Sequence, residues 1–136
     1  MSYPQLQTPA ERLCAGMLGL NIPEIVAICG STRFMDAMNE ADRELTWAGR
    51  IVVRPGCDMK TPHPLWADPA DADAGKQRLD DLHRAKIRLA WRVLVVGDYI
   101  GDSTRAEIAY ARSLGKRIDF THPEVDPAFD GRTETP

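Results

Sequence analysis

Cysteine is scarce in this chain of 136 residues, which contains three cysteines, Cys14, Cys29 and Cys57. Their number is odd and no two are close in sequence, so we expect no disulfide framework and a reducing, cytoplasmic environment. Together with the three histidines they show no local metal-ligand spacing, neither C-x-x-C nor H-E-x-x-H. The sequence therefore predicts no metal site, and it predicts no cofactor.

Long apolar runs and an excess of positive charge are also missing. No apolar run approaches the ~18 residues that a membrane span needs, and the first residues lack the basic-then-apolar pattern of a secretory signal. The 17 Lys and Arg residues are outnumbered by 20 Asp and Glu residues, and they are scattered rather than gathered in a stripe. We therefore expect neither a membrane nor a nucleic acid polymer as a partner.

Short apolar runs of strand length alternate with segments whose apolar residues recur at helical spacing. The predicted strands are 24–29, 51–53, 92–97 and 117–120, and the predicted helices are about 8–20, 34–48, 77–90 and 105–114. This alternation predicts an α/β fold, a flavodoxin-like or Rossmann-like three-layer sandwich with a parallel sheet of four or five strands. We expect a single α/β domain at 24–120, an N-terminal extension at 1–23 with a short helix, and a mobile C-terminal tail at 121–136.

Three loops follow predicted strands and are the places to look for a site, because open parallel sheets bind ligands beyond the carboxyl ends of their strands. These loops are 30–33, 55–75 and 97–104. The segment 55–75 contains four prolines and four aspartates and shows neither period. A loop of that length inside a compact domain is typical of a lid or a binding segment.

The loop at 30–33 reads Gly30-Ser31-Thr32-Arg33 and precedes a predicted helix. Free N–H groups and the positive end of the helix dipole favour an anion there. Gly30 would let the backbone approach a phosphate, two hydroxyls would donate to it, and Arg33 would clamp it. The same residues are also ordinary turn and N-cap chemistry, and neither a dinucleotide fingerprint nor a P-loop is present.

The third loop leads to Glu107, which we expect in the first turn of the next helix. The helix dipole favours an ionised carboxylate there, available as a nucleophile or general base. Asp98 and Asp102 would add acid–base chemistry or hold sugar hydroxyls. Alternatively, Thr104 and Glu107 fit a capping box, in which the carboxylate only returns to the N-cap N–H.

The pairing of the two motifs resembles the nucleoside 2-deoxyribosyltransferase-like superfamily, which includes transferases and N-glycosidases of nucleoside 5'-monophosphates. The motifs are Gly-Ser-Thr-Arg at 30–33 and Gly-Asp-Ser-Thr-x-x-Glu-Ile at 101–108, and the resemblance covers about 24–120. It implies that Glu107 attacks C1' of the sugar and that a covalent glycosyl-enzyme then passes to water or a second base. It also implies that the first turn holds a 5'-phosphate. Ser103 and Thr104 would order the second loop.

Three other side chains have two interpretations each. The resemblance implies an aspartate where this chain has His83, which would protonate a leaving base, bind phosphate or be a core residue. Lys86 is either a phosphate contact or a surface lysine. Trp66 would stack on a base or anchor its loop. The P-G-G-x-G-T-x-x-E motif of phosphoribohydrolases that release cytokinin bases is absent.

Taken together, the sequence predicts a homodimeric or higher oligomeric enzyme, a hydrolase or transferase acting on the N-glycosidic bond of a nucleoside or nucleoside 5'-monophosphate. The candidate catalytic residues are Glu107, Asp98, Asp102 and His83. The candidate binding residues are Gly30, Ser31, Thr32, Arg33, Ser103, Thr104 and Trp66. Two alternatives stay open: a nucleotide-binding or sensing module without catalysis, and an NAD-cleaving glycohydrolase.

Overall fold

A computed structural model describes residues 7–129 of the chain, which form a parallel sheet with helices on both faces. The strands are β1 (Ile25–Cys29), β2 (Ile51–Val53), β3 (Arg92–Val95) and β4 (Arg117–Phe120). The helices are α1 (Pro9–Gly19), α2 (Met35–Trp47), α3 (Pro69–Leu89) and α4 (Asp102–Ser113). The predicted α/β class is confirmed, and within the described residues the sheet has four strands and no fifth.

The strand order β2-β1-β3-β4 places β1 and β3 at the centre of the sheet. Every pair is parallel, with Ala27 opposite Val53 on one side and opposite Val93 on the other. All five residues of β1 are buried, as expected of an apolar strand covered on both faces. From β1 the chain runs first to β2 and then back across to β3. The strand order therefore reverses between β1 and β3, where such sheets form a crevice.

Alternate residues of β1 point to opposite faces of the sheet, and each face has its own apolar cluster. Ile28 packs with Met38 of α2, whereas Ala27 and Cys29 belong to the cluster on the other face. That second cluster includes residues of α1, α3 and α4, among them Met17, Ile87 and Ile108. The sheet thus lies between two helical layers. Cys29 faces the side on which α3 and α4 pack.

Helix α3 begins eight residues earlier than the sequence predicts. Asp68 caps it by accepting hydrogen bonds from the backbone N–H groups of Ala70 and Asp71, and Pro69 occupies the first helical position. The prediction of a loop over all of 55–75 is therefore wrong in its last third. The remaining loop contains a 3₁₀ turn at Pro64–Trp66.

The two ends of the described chain lie against the domain. In α1, the Thr8 hydroxyl and the Glu11 carboxylate form a capping box, and Met17 is buried in the core. At the other end, Val125 follows β4 in a 3₁₀ turn and packs on the same cluster. Of the predicted extension and tail, residues 1–6 and 130–136 lie outside the described residues. Within 7–129 no helix has the length and apolar character to cross a bilayer.

Candidate functional site

A cavity of about 480 Å³ opens beyond the carboxyl ends of the strands, at the point where the strand order reverses. That volume lies within the range of roughly 300–1,000 Å³ common for small-molecule sites. The turn after β1, the loop after β2, α3 and the start of α4 all line the cavity. The predicted site residues that line it are Gly30, Ser31, Thr32, Arg33, His83, Asp102, Ser103, Thr104 and Glu107.

The turn after β1 is held by its own side chains. The Ser31 hydroxyl caps the 3₁₀ turn Thr32–Phe34 by accepting from the backbone N–H of Arg33 at 3.4 Å. The Arg33 guanidinium lies 4.1 Å from the ring centroid of Tyr99, in the loop after β3. The alternative of ordinary turn and cap chemistry is thus confirmed for Ser31, and the same hydroxyl also lines the cavity.

The loop after β2 supplies two site residues that the sequence does not single out, Asp58 and Lys60. Asp58 accepts hydrogen bonds from the hydroxyls of Thr32 at 2.9 Å and Thr61 at 3.0 Å. The Thr32 hydroxyl first, and then that of Thr61, hold the pKa of the Asp58 carboxyl below its usual value. The Lys60 ammonium lies 3.4 Å from the Ser31 hydroxyl and brings a positive charge to the turn.

Trp66 anchors this loop and does not line the cavity. Its indole N–H donates to the carbonyl oxygen of Thr61 at 2.8 Å, and its ring centroid lies 4.8 Å from that of His63, with the two rings tilted by 33°. Of the two interpretations, the structure shows the anchor, and stacking on a ligand base stays a prediction.

Glu107 lies in the second turn of α4, one turn later than predicted, because the helix begins at Asp102. The N-cap is Gly101, and no side chain caps the helix. Thr104 is a buried residue within the helix rather than its cap. The capping-box alternative is therefore wrong, and the Glu107 carboxylate accepts no capping hydrogen bond from the backbone at the start of α4.

The Glu107 carboxylate instead lies against His83 of α3 and near Cys29 of β1. Its Oε2 atom is 3.3 Å from His83 Nε2, and the same nitrogen is 3.4 Å from Cys29 Sγ. His83 is 8% exposed, so it is a buried histidine that also lines the cavity. The structure therefore places His83 both in the packed interior and at the cavity wall.

Cys29 is the residue of this cluster that sequence reasoning missed. It is fully buried, and burial raises the pKa of its thiol well above the usual value. The negative charge of Glu107, and then a hydrogen bond to that carboxylate, raise it further. The thiol therefore carries its proton and acts toward Glu107 as a neutral neighbour. Nothing in the sequence distinguishes it from the other apolar residues of its strand.

The remaining candidates divide between the cavity and the surface. Asp102 and Ser103 are exposed at the cavity wall, in the first turn of α4. Asp98 is exposed and does not line the cavity, so the structure does not bring it to Glu107. Lys86 lines the cavity, but its ammonium donates to the carbonyl oxygen of Arg54 at 2.8 Å and ties α3 to the end of β2.

Fold and site together define an open, parallel α/β domain with a small-molecule cavity at its switch point. One wall of the cavity has a half-buried carboxylate and a buried imidazole, and the other has hydroxyl and basic groups. Comparisons with protein-family models, curated proteins and solved structures gave no significant match.

Proposed function

We propose that this protein cleaves or exchanges the N-glycosidic bond of a nucleoside or nucleoside 5'-monophosphate, with Glu107 as the nucleophile. One observation carries the proposal. A carboxylate that caps nothing, with a side chain 17% exposed, faces a nucleotide-sized cavity and is positioned by a buried imidazole 3.3 Å away. A carboxylate in that position is suited to attack an electrophilic carbon.

The reaction has two steps. A Glu107 oxygen bonds to C1' of the sugar while the C1'–N bond breaks, and the electron pair leaves with the base nitrogen, which takes up a proton from solvent in the open cavity. Water, or the nitrogen of a second base, then attacks C1', gives up its proton to solvent and releases the carboxylate. His83, when its Nε2 carries the proton, donates to Glu107 and fixes the orientation of the carboxylate. Asp102, at the cavity wall, is the candidate partner of a sugar hydroxyl or of the leaving base.

The opposite wall supports a phosphate-bearing substrate. Ser31 places a hydroxyl there, Arg33 lies beside it, and Lys60 adds an ammonium 3.4 Å from the Ser31 oxygen. The Thr32 hydroxyl already donates its proton to Asp58. Hydrogen bonds from charged donors to phosphate are the stronger kind, which favours a nucleoside 5'-monophosphate over an uncharged nucleoside.

The test is chromatographic detection of free base from a panel of nucleosides, their 5'-monophosphates and NAD. We expect release from one of these classes, and we expect the isosteric variant Glu107→Gln to slow it by at least about a thousandfold, as loss of a nucleophile does in other enzymes. Glu44→Gln, which changes an exposed glutamate of α2 in the same way, is the matched control and should release base at the wild-type rate.

Each other result has a definite meaning. A Glu107→Gln variant as fast as the wild type would show that Glu107 is not the nucleophile. A rise in melting temperature with one compound and no free base would indicate a binding or sensing module without catalysis. Release of nicotinamide from NAD alone would make the protein an NAD glycohydrolase. Adding a second base to the assay distinguishes transfer from hydrolysis.

A further inference from the structure

Three different metal-ligating atoms converge where β1, α3 and α4 meet. His83 Nε2 is 3.3 Å from Glu107 Oε2 and 3.4 Å from Cys29 Sγ, and the sulfur, nitrogen and oxygen atoms all lie within 4.8 Å of one another. Zinc bonds of about 2.3 Å to sulfur and 2.0–2.2 Å to nitrogen and oxygen give neighbouring ligands about 3.3–3.6 Å apart in a tetrahedron. Two of the three separations already match those edges.

The environment of the three donors favours a cation. Cys29 is fully buried, and His83 is more than nine-tenths buried. Both polar contacts of the imidazole are made by Nε2, while its buried Nδ1 has no hydrogen-bond partner among the described residues. Over residues 7–129, the one ion-pair partner of Glu107 is this same histidine. The imidazole therefore turns its ligating atom toward a thiol and a carboxylate that no lysine or arginine neutralises.

We propose that Cys29, His83 and Glu107 bind Zn²⁺ as a three-ligand site. On binding, a sulfur–zinc bond forms at Cys29 and the thiol proton leaves to solvent. A thiolate with an imidazole selects zinc over magnesium or calcium, which prefer sites made of oxygen alone. Because His83 and Glu107 line the cavity, the fourth ligand position faces it and is open to water or a small anion.

Zinc in this position engages the carboxylate that the proposed reaction needs as a nucleophile. The metal would therefore inhibit base release, and this consequence, unlike the binding itself, rests on the proposed function. The prediction from sequence that no metal site exists depends only on the absence of closely spaced ligand motifs. These three donors are separated by 54 and 24 residues along the chain.

The test uses Co²⁺ added to the purified, metal-free full chain, because cobalt substitutes for zinc and reports its ligands in the absorption spectrum. We expect a near-ultraviolet charge-transfer band from a thiolate, together with the visible bands of a tetrahedral ion, and displacement of both by Zn²⁺. Cys29→Ser should abolish the charge-transfer band. Cys57→Ser, which changes a cysteine that lines the cavity outside the cluster, should preserve it.

Glu107→Gln provides a second variant that keeps side-chain size, so its folding is not expected to suffer. It should weaken cobalt binding by at least about tenfold, since loss even of groups that only orient a ligand costs about 10–100-fold. Circular dichroism and melting temperature are recorded for every variant. A folded wild type without the thiolate band overturns the proposal, as does a band that survives Cys29→Ser or disappears in Cys57→Ser.

The two proposals fail in distinguishable ways. A thiolate–cobalt band in a protein that, when metal-free, releases no base from any substrate leaves the metal site in place and counts against the glycosidase. Base release in the presence of a chelator, with no cobalt band, supports the glycosidase and counts against the metal site. Base release that Zn²⁺ suppresses, with the suppression reversed by chelator, is the result expected if both are right.

Discussion

At the scale of single residues, two glycines decide how closely the loops of the site approach each other. Gly30 has a φ of +147°, and a Cβ there would lie 2.6 Å from the carbonyl oxygen of Val96. Gly97 has a φ of +107°, and a Cβ there would lie 2.4 Å from the ring of Phe34. The turn after β1 therefore packs on the end of β3 only because both positions lack a side chain.

Replacing Gly97 with alanine should lower the stability of the whole domain. The added methyl group meets an aromatic ring, and the backbone conformation is one that residues with a side chain rarely adopt. We expect the free energy of unfolding in urea to fall by about 1–3 kcal/mol. Gly16→Ala in α1 is the control, since nothing lies within 4 Å of that site and the helix should gain about 0.5–1 kcal/mol. Equal effects of the two substitutions would contradict this interpretation.

The candidate nucleophile and His83 could be found from the sequence, but their neighbour Cys29 could not. Glu107 follows a buried strand and a Gly-Asp-Ser-Thr segment, which is enough to place it at the carboxyl edge of the sheet. Cys29 resembles any apolar strand residue, and its distance from His83 depends on how β1 pairs with β3 and how α3 crosses them. Spacing along the chain contains no information on that packing.

At the scale of elements, the loop after β2 and the turn after β1 act as one unit. Asp58 accepts from Thr32, Lys60 reaches Ser31, and the Lys60 backbone N–H also donates to Asp58 at 3.1 Å. The loop thereby holds the hydroxyls and the ammonium on the same wall of the cavity.

The charge that this loop contributes should distinguish a nucleotide from a nucleoside. Lys60→Met should weaken binding of a nucleoside 5'-monophosphate by about tenfold or more, because a hydrogen bond to a charged group contributes about 1.5–3 kcal/mol. Binding of the uncharged nucleoside should be unchanged, as measured by calorimetry. Arg12→Met, which removes an exposed positive charge from α1, should affect neither. Equal losses for both ligands would place Lys60 away from the phosphate.

The start of α3 shows why the periodicity of apolar residues does not always locate the first residue of a helix. Over residues 69–75 the helix is mostly exposed, so no apolar stripe is needed and none is present. The start signal there is local, an aspartate followed by proline, whereas the aspartates that follow resemble a loop in composition. The strands are easier to predict because β1 is wholly buried and apolar, and β3 is apolar apart from Arg92, with two of its four residues buried.

At the scale of the whole molecule, Arg92 links β3 to β4 and to Glu24, the residue that precedes β1. Arg92 donates to Glu24 at 2.8 Å and to Asp119 at 3.2 Å, and Arg50 reaches the same Glu24 oxygen at 3.1 Å. The hydrogen bond from Arg92 is the main reason that the pKa of Glu24 lies below its ordinary value of 4.5. This network lies at the edge of the sheet away from the cavity.

The stability of the fold should fall in acid partly through this network. Because the pKa of Glu24 is lower in the folded chain than in the unfolded one, its ionised form stabilises the fold at neutral pH. That contribution is present above pH 4.5 and disappears as pH falls through the depressed pKa. Its size is below about 1 kcal/mol, since a third of the side chain is exposed. Glu24→Gln should reduce the fall in melting temperature between about pH 6 and 3, whereas Glu44→Gln should not.

Among whole-molecule properties, the fold class follows from the alternation of periods, and the structure confirms it. A homo-oligomeric state and a cytoplasmic location stay predictions. The oligomeric state depends on the protein surface, and the location depends on the cell. The pattern of buried residues that predicts the sheet depends only on the protein interior. For the same reason the helical layers could be predicted, because they bury apolar residues. The part of the cavity wall formed by the loop after β2 could not, because its site residues, Asp58 and Lys60, are polar and are not buried in the core.

The three cysteines differ in burial, and this makes one sulfur atom a reporter of folding. Cys14 and Cys57 are partly accessible, whereas Cys29 is sealed between the central strands and the helices that cross them. Two thiols should thus react promptly with an alkylating reagent, and the third only when the centre of the sheet opens. The slow phase of that reaction measures how often the sheet opens around its central strands, β1 and β3.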